Sequence, residues 1–274
     1  MLTITKILCL GAIGNYFVVN PLQVQSRISE IHGNIIGMTS PIHCGSIHPS
    51  LSMVDTCSHF GISLLPSLFG IKDLSRLAIC GEMRLEQSIG LHMKTEFMKI
   101  DQFSMMQCDL STAWNPHDMS LIPGFGLQTE FVSFDDGILH CTELNMGVGA
   151  IMKIDEKVGV GILFQYPIAR PMSEFNASFT QPLLTIGFGF TPIEGMGIDV
   201  DMLMTEYSSG LRPSFSWNFT RNIRSHIGLS VPHSSVTIGL SMLIDDIFVQ
   251  VNMFNHMYLG NSWHIGMRYC PDFD

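Results

Sequence analysis

The chain has 274 residues, of which 46% are hydrophobic and 14% charged, and it carries a net charge of −10. The acidic balance excludes a binder of nucleic-acid backbones, because phosphate neutralisation needs an excess of Lys and Arg. Mean hydropathy is +0.29, yet no unbroken apolar run approaches the roughly 18 residues of a membrane-spanning helix. High hydropathy without long runs is what strands produce when every second residue faces oil.

Taken in order, residues 1–26 read as a signal peptide. Lys6 supplies the positive start, Ile7 to Val19 the apolar stretch, and Val24 and Ser26 the positions before a cleavage site. An N-terminal strand or a short buried helix is the other reading. Residues 27–57 are broken by Gly33, Gly37, Pro41, Gly45 and Pro49, which rules out a long element. In a barrel this segment would enter the lumen as a plug or cap one end. It and its edge hold His43, Cys44, His48, Cys57 and His59. These are zinc-ligand types without the short paired spacings of a zinc site, so no metal is expected. Cysteines show no recurring C-x-x-C and read mainly as small apolar strand fillers, with Cys44 and Cys57 a candidate bridge at one end.

From residue 58 onward the pattern has a period of two, which places successive side chains on opposite faces of a sheet. Runs are expected at 58–65, 74–83, 87–99, 102–114, 121–134 and 139–154, and from 158 up to a break at 167–181. They resume at 183–190, 195–207, 211–220, 223–231, 234–243, 247–254 and 262–270. The Asp135-Asp136-Gly137 and Asp155-Glu156-Lys157 steps read as turns. In the last runs Val236, Ile238, Leu240 and Met242 alternate with Ser235, Thr237, Gly239 and Ser241, and Trp263, Ile265, Met267 and Tyr269 alternate with Ser262, His264, Gly266 and Arg268. The count comes to about fourteen strands, an even number within the range of single-chain outer-membrane barrels. The expected fold is all-β: an antiparallel up-and-down transmembrane β-barrel over residues 58–274, with no internal domain boundary.

Alternation alone also fits a soluble periplasmic β-sandwich. Lipid is favoured by the export-like start, by an inner face of Gly, Ser, Thr and Asn with few Lys or Glu, and by a meander long enough to need closure. On that inner face Asp199 and Asp201 lie two residues apart, with Arg212 or Arg268 as candidate partners. Arg224, His226, His264 and Arg268 share the inward parity and would form a mildly basic lumen patch. These are the candidate site residues, read as lumen charge rather than as catalysts. No G-x-S-x-G, H-E-x-x-H or phosphate-binding loop is present, so neither an enzyme nor a cofactor is expected.

The segment His48-Pro49-Ser50-Leu51 resembles the Asn-Pro-Ala-Gly segment ahead of the first strand in FadL-like and PorV/PorQ-type outer-membrane barrels of the Bacteroidetes and Chlorobi. The stretch Pro66 to Leu74 is similar to the Pro-rich first hairpin of that group. Gly147-Val148-Gly149-Ala150, the run Ile186 to Pro192 and the run Gly195 to Val200 are similar to its strand–turn–strand repeats. The resemblance spans roughly residues 30 to 270. Here His48 replaces the Asn, and Phe273 is followed by Asp274 instead of ending the chain. The resemblance implies an outer-membrane location, contact with outer-membrane lipid, and one of two roles: passing or binding small hydrophobic molecules, or serving as a membrane partner for secreted proteins in a type IX-like pathway.

Overall fold

The period-two pattern becomes strand in a computed structural model, which describes residues 50, 53, 58–66, 75–85, 88–100, 103–115, 120–133, 139–155, 157–169, 182–205, 208–220, 222–231, 235–257 and 260–269. The expected signal peptide, His43, Cys44, His48, Cys57 and most of the 66–74 and 167–181 stretches lie outside the described residues. Fourteen strands follow one another: β1 (His59–Leu65), β2 (Ser75–Leu85), β3 (Ile89–Ile100), β4 (Phe103–Trp114), β5 (Leu121–Ser133), β6 (Leu139–Lys153) and β7 (Val158–Ala169) form the first half. The second half is β8 (Leu183–Phe190), β9 (Met196–Met204), β10 (Ser209–Thr220), β11 (Ile223–Ser230), β12 (Ser235–Ile244), β13 (Ile247–His256) and β14 (Gly260–Tyr269).

Each strand pairs antiparallel with its sequence neighbours, and β1 pairs with β14, so the sheet is a closed barrel. The seam sets Phe60 against Tyr269, Ser63 against Gly266 and Leu64 against Ile265. Closure removes the two free edges that an open meander of this length would present. Register shifts at Glu130/Phe131, Leu144/Asn145 and Asn218/Thr220 absorb the local irregularities. One of them explains a departure from expectation. The break predicted to start at Pro167 begins later, because β7 runs on to Ala169 through a bulge of its own: Asn145 faces Pro167, Leu144 faces Ala169, and Ile168 is the extra residue.

The two faces separate cleanly. Phe60, Ile62 and Leu64 on β1, Ile238, Leu240 and Met242 on β12, and Ile265 and Met267 on β14 point outward and are exposed. Their alternating neighbours His59, Ser63, Thr237, Ser241, His264 and Arg268 point inward and are buried. This inverts the arrangement of a soluble sheet, whose apolar face is the buried one. All three Trp, Tyr166 and Tyr269 point outward at 46–54% exposure. Trp114 and Tyr269 are the last residues of β4 and β14, Trp217 and Tyr166 lie in the last third of β10 and β7, and Trp263 is the fourth residue of β14.

Two of the turns show why the chain reverses where it does. Asp155 Oδ1 accepts from the backbone N–H groups of Lys157 and Val158, both at 2.7 Å, which fixes the β6–β7 turn. The β12–β13 turn places Asp245 at φ 50°, a left-handed conformation that Asp tolerates and β-branched residues do not. Replacing Asp245 with Val is expected to cost on the order of 1–2 kcal/mol, whereas Asp245→Gly is expected to be neutral or stabilising; urea unfolding of the refolded barrel measures both.

Candidate functional site

The inner face is where the chain concentrates its polar chemistry. Inward positions of β2, β3 and β4 build a ladder of alternating charge. Lys94 Nζ lies 3.0 Å from Glu96 Oε2 and 3.8 Å from Asp109 Oδ2. Arg76 reaches the same Glu96 from β2, and Gln107 Nε2 donates to both carboxylate oxygens of Asp109 at 3.1 and 3.3 Å. Register produces this set, because Lys94 pairs with Asp109 and Glu96 with Gln107 across β3 and β4. Further along, His59 Nε2 lies 3.9 Å from Glu82 Oε2. Lys94 and Glu96 are each 1% exposed. Charges this far from water persist only where opposite charges and hydrogen bonds surround them.

A second polar arc runs over β9 to β14. Asp199 and Asp201 sit on the inner face of β9, both essentially inaccessible. Of the two candidate partners for this pair, register puts Arg212 directly across from Asp201. Arg268 is elsewhere, on β14, with its guanidinium 5.4 Å from the centroid of Phe248. Arg224 donates to Ser216 Oγ at 2.8 Å. Gln250 Nε2 donates to Asn252 Oδ1 at 2.9 Å, and Asn252 Nδ2 lies 3.3 Å from His264 Nδ1. His226, Gly239, Asn252 and His264 occupy one rung across four strands. Gly239 has to be small: a Cβ there would collide with Asn252 Oδ1 and the His226 ring.

The remaining arc, β5 to β8, sets paired glycines among inward Ile122, Ile151, Leu163, Leu183 and Thr185. Gly124 faces Gly149, Gly126 faces Gly147, Gly159 faces Gly189 and Gly161 faces Gly187 in register, all on the inner face. The barrel therefore has a charged wall, a hydroxyl- and amide-rich wall and a glycine wall.

At the end where β1 begins, residues ahead of the sheet join this interior. Met53 is buried with Ala113 of β4 and Ile122 of β5, and its carbonyl accepts from Arg84 Nη2 at 2.7 Å. Ser50 is fully buried as well. Fourteen strands about 4.8 Å apart and tilted about 40° enclose a ring about 28 Å across. A ring that wide exceeds what its own side chains fill, since about eight strands already reach that limit. Yet Asp199, Gln250 and Asn252 are 0% exposed.

All six candidate residues, Asp199, Asp201, Arg224, His226, His264 and Arg268, lie on the inner face of these strands. They do not form one cluster: the two acids belong to β9, while the cations span β11 to β14. The Arg76–Glu96–Lys94–Asp109 ladder was not singled out from sequence, although the alternation of residues 87–99 already put Lys94 and Glu96 on one face with His92. Among the described residues no group of three or more His, Cys, Asp or Glu is placed to hold a metal ion. Cys80 is inward and buried and Cys108 points outward.

No protein-family model matches the chain, and no curated protein matches it. Solved structures with a similar arrangement include a variant of Rhodopseudomonas blastica porin, 7% identical over 78% of this chain and 98% of that one, with a TM-score of 0.43. The KdgM porin in complex with disordered oligogalacturonate is 10% identical over 78% and 98%, with a TM-score of 0.41. Likenesses of this size carry no weight for function, and the closed barrel rests on the strand registers themselves.

Removing Lys94 would leave Glu96 and Asp109 facing each other without their shared cation. Lys94→Met is therefore expected to destabilise the barrel by about 3–5 kcal/mol. In a double-mutant cycle with Glu96→Gln, part of that loss should be recovered, which reversible urea unfolding would measure.

Proposed function

We propose that this chain is an outer-membrane β-barrel forming a conduit for small polar solutes, closed at its terminal end by the residues ahead of β1. The observation that carries the reading is the inverted sheet: a continuous apolar outer belt around a buried, charged interior. In water that belt would be an exposed apolar surface far larger than the few hundred Å² that soluble monomers tolerate. In a bilayer it meets hydrocarbon, and the closed sheet leaves no free edge for water to satisfy. Strands of 7 residues in β1 to 15 in β6 bracket the roughly 9–11 needed to cross. Outward Trp and Tyr near the strand ends suit the two interfaces.

The interior bears on what would pass. The resemblance to FadL-like barrels led to an expectation of hydrophobic molecules. The inner face of Lys94, Glu96, Asp109, Asp199, Asp201 and the arginines favours polar solutes instead, since an apolar solute would have to desolvate these groups without replacing their hydrogen bonds. Burial of Met53 against Ala113 and Ile122, with Arg84 bonded to its carbonyl, supports residues 27–57 acting as a plug at rest. A second reading, a membrane partner for secreted proteins, draws on the near-complete burial of the inner face, because an anchor needs no open shaft.

Three outcomes test this. The protein should require detergent and show heat-modifiable gel mobility; a monodisperse soluble form without detergent would sink the membrane reading. Leu240→Arg, at the middle of β12, should cost about 2–4 kcal/mol in liposomes, and Ile244→Arg at the strand end about 0–1 kcal/mol. A soluble sheet would show no such depth dependence. In planar bilayers Arg84→Ala should raise conductance over the wild type, whereas equal conductance would separate Met53 from any closing role.

A further inference from the structure

The inner faces of the strands differ in sign. Strands β2 to β4 carry inward acids and bases together, and β9 carries two inward acids. Strands β10 to β14 contain no Asp or Glu at any position, in a chain whose net charge is −10. Arg212 on β10 faces Asp201. Over β11 to β14 the inward set is then Arg224, Arg268 and two histidines, with hydroxyls and amides between them.

Within that arc one place is built. Arg224, Ser241, Gln250 and Gly266 form a single rung across β11, β12, β13 and β14. Arg268 follows Gly266 by two residues on the same face, and Phe248, beneath its guanidinium, precedes Gln250 by two. Gln250 thus shares a rung with Arg224, whose guanidinium is bonded to Ser216 on β10, and lies diagonal to Arg268, while Gly266 contributes no side chain beside it. Gln250 is 0% exposed and its Oε1 has no hydrogen-bond partner among the described residues. His226, two residues from Arg224 and 6% exposed, has neither ring nitrogen bonded among them. Buried polar atoms in that condition call for a partner, here as at other inward groups such as His92 and Gln107. Around the ring, β12 to β1 lie across the shaft from β5 to β8, whose paired glycines add no side chains to the intervening space.

We propose that this arc binds a small oxyanion, a carboxylate or phosphate carried on a hydroxylated body such as a sugar acid or sugar phosphate. Arg224 and Arg268 hold the charged group, for which the planar guanidinium is suited. Gln250, Ser241 and His226 take the hydroxyls, since each can both donate and accept. The inference rests on the polar-conduit reading and names the class of solute for it.

Calorimetric titration of the detergent-folded barrel tests it, with inorganic phosphate, glucose 6-phosphate, glucuronate and glucose as probes. The same sample is checked for heat-modifiable mobility. The two sugar anions are expected to bind and glucose is not; the tighter of the two identifies the preferred oxyanion. Arg224→Gln with Arg268→Gln should weaken binding by at least about tenfold. Gln250→Leu, which keeps both charges, should weaken the sugar anions more than inorganic phosphate. Absence of binding to both the wild type and Arg84→Ala would overturn the proposal, as would equal binding of glucose or unchanged affinity in the double variant. If such a result comes from a heat-modifiable barrel, only the solute class fails. If the sample shows no heat-modifiable mobility and needs no detergent, the membrane reading fails with it.

Discussion

The pairing of β1 with β14 is the constraint on which the rest depends. A strand in hydrocarbon has no water to satisfy its N–H and C=O groups, so a spanning sheet must leave no edge. The seam from Phe60 opposite Tyr269 to Leu64 opposite Ile265 meets that requirement. Once the ring is closed, each residue has only two places to go. The outer set can be apolar without limit, and the inner set can be charged, because each face has its own environment.

That division explains a composition that looks inconsistent at first. A chain with few charged residues and high mean hydropathy still buries a charge ladder of Arg76, Glu96, Lys94 and Asp109. In a soluble core such a ladder would compete with apolar packing and often lose. Here buried apolar residues such as Ile122, Ile151 and Leu163 lie on other strands and do not compete with it. The interior is stabilised by complementary polar groups, and the fold by backbone pairing and by the outer belt.

Much of this was legible in the sequence because a period of two survives every local accident. All fourteen runs were readable, Leu183–Phe190 to the residue, and the inward parity of Asp199, Asp201, Arg224, His226, His264 and Arg268 followed from alternation alone. What alternation cannot supply is register. Lys94 and Glu96 were visible as one face of a strand, but their meeting with Asp109 and Arg76 depends on how β2, β3 and β4 slide past one another. The same gap left Arg212 and Arg268 as equal candidates for the acids of β9, until pairing set Arg212 opposite Asp201. Pro167 misled for a related reason: read locally it ends a strand, whereas a bulge at Ile168 lets β7 continue past it to Ala169.

Lipid contact of the outer belt is tested most directly by the intrinsic fluorescence of Trp114, Trp217 and Trp263, all of which face outward. The protein would be reconstituted in bilayers containing brominated acyl chains, and separately exposed to aqueous iodide. Strong quenching by the brominated lipids with little effect of iodide is the predicted result. Emission indifferent to bromine and quenched by iodide would contradict the account, since it would place the apolar face in water.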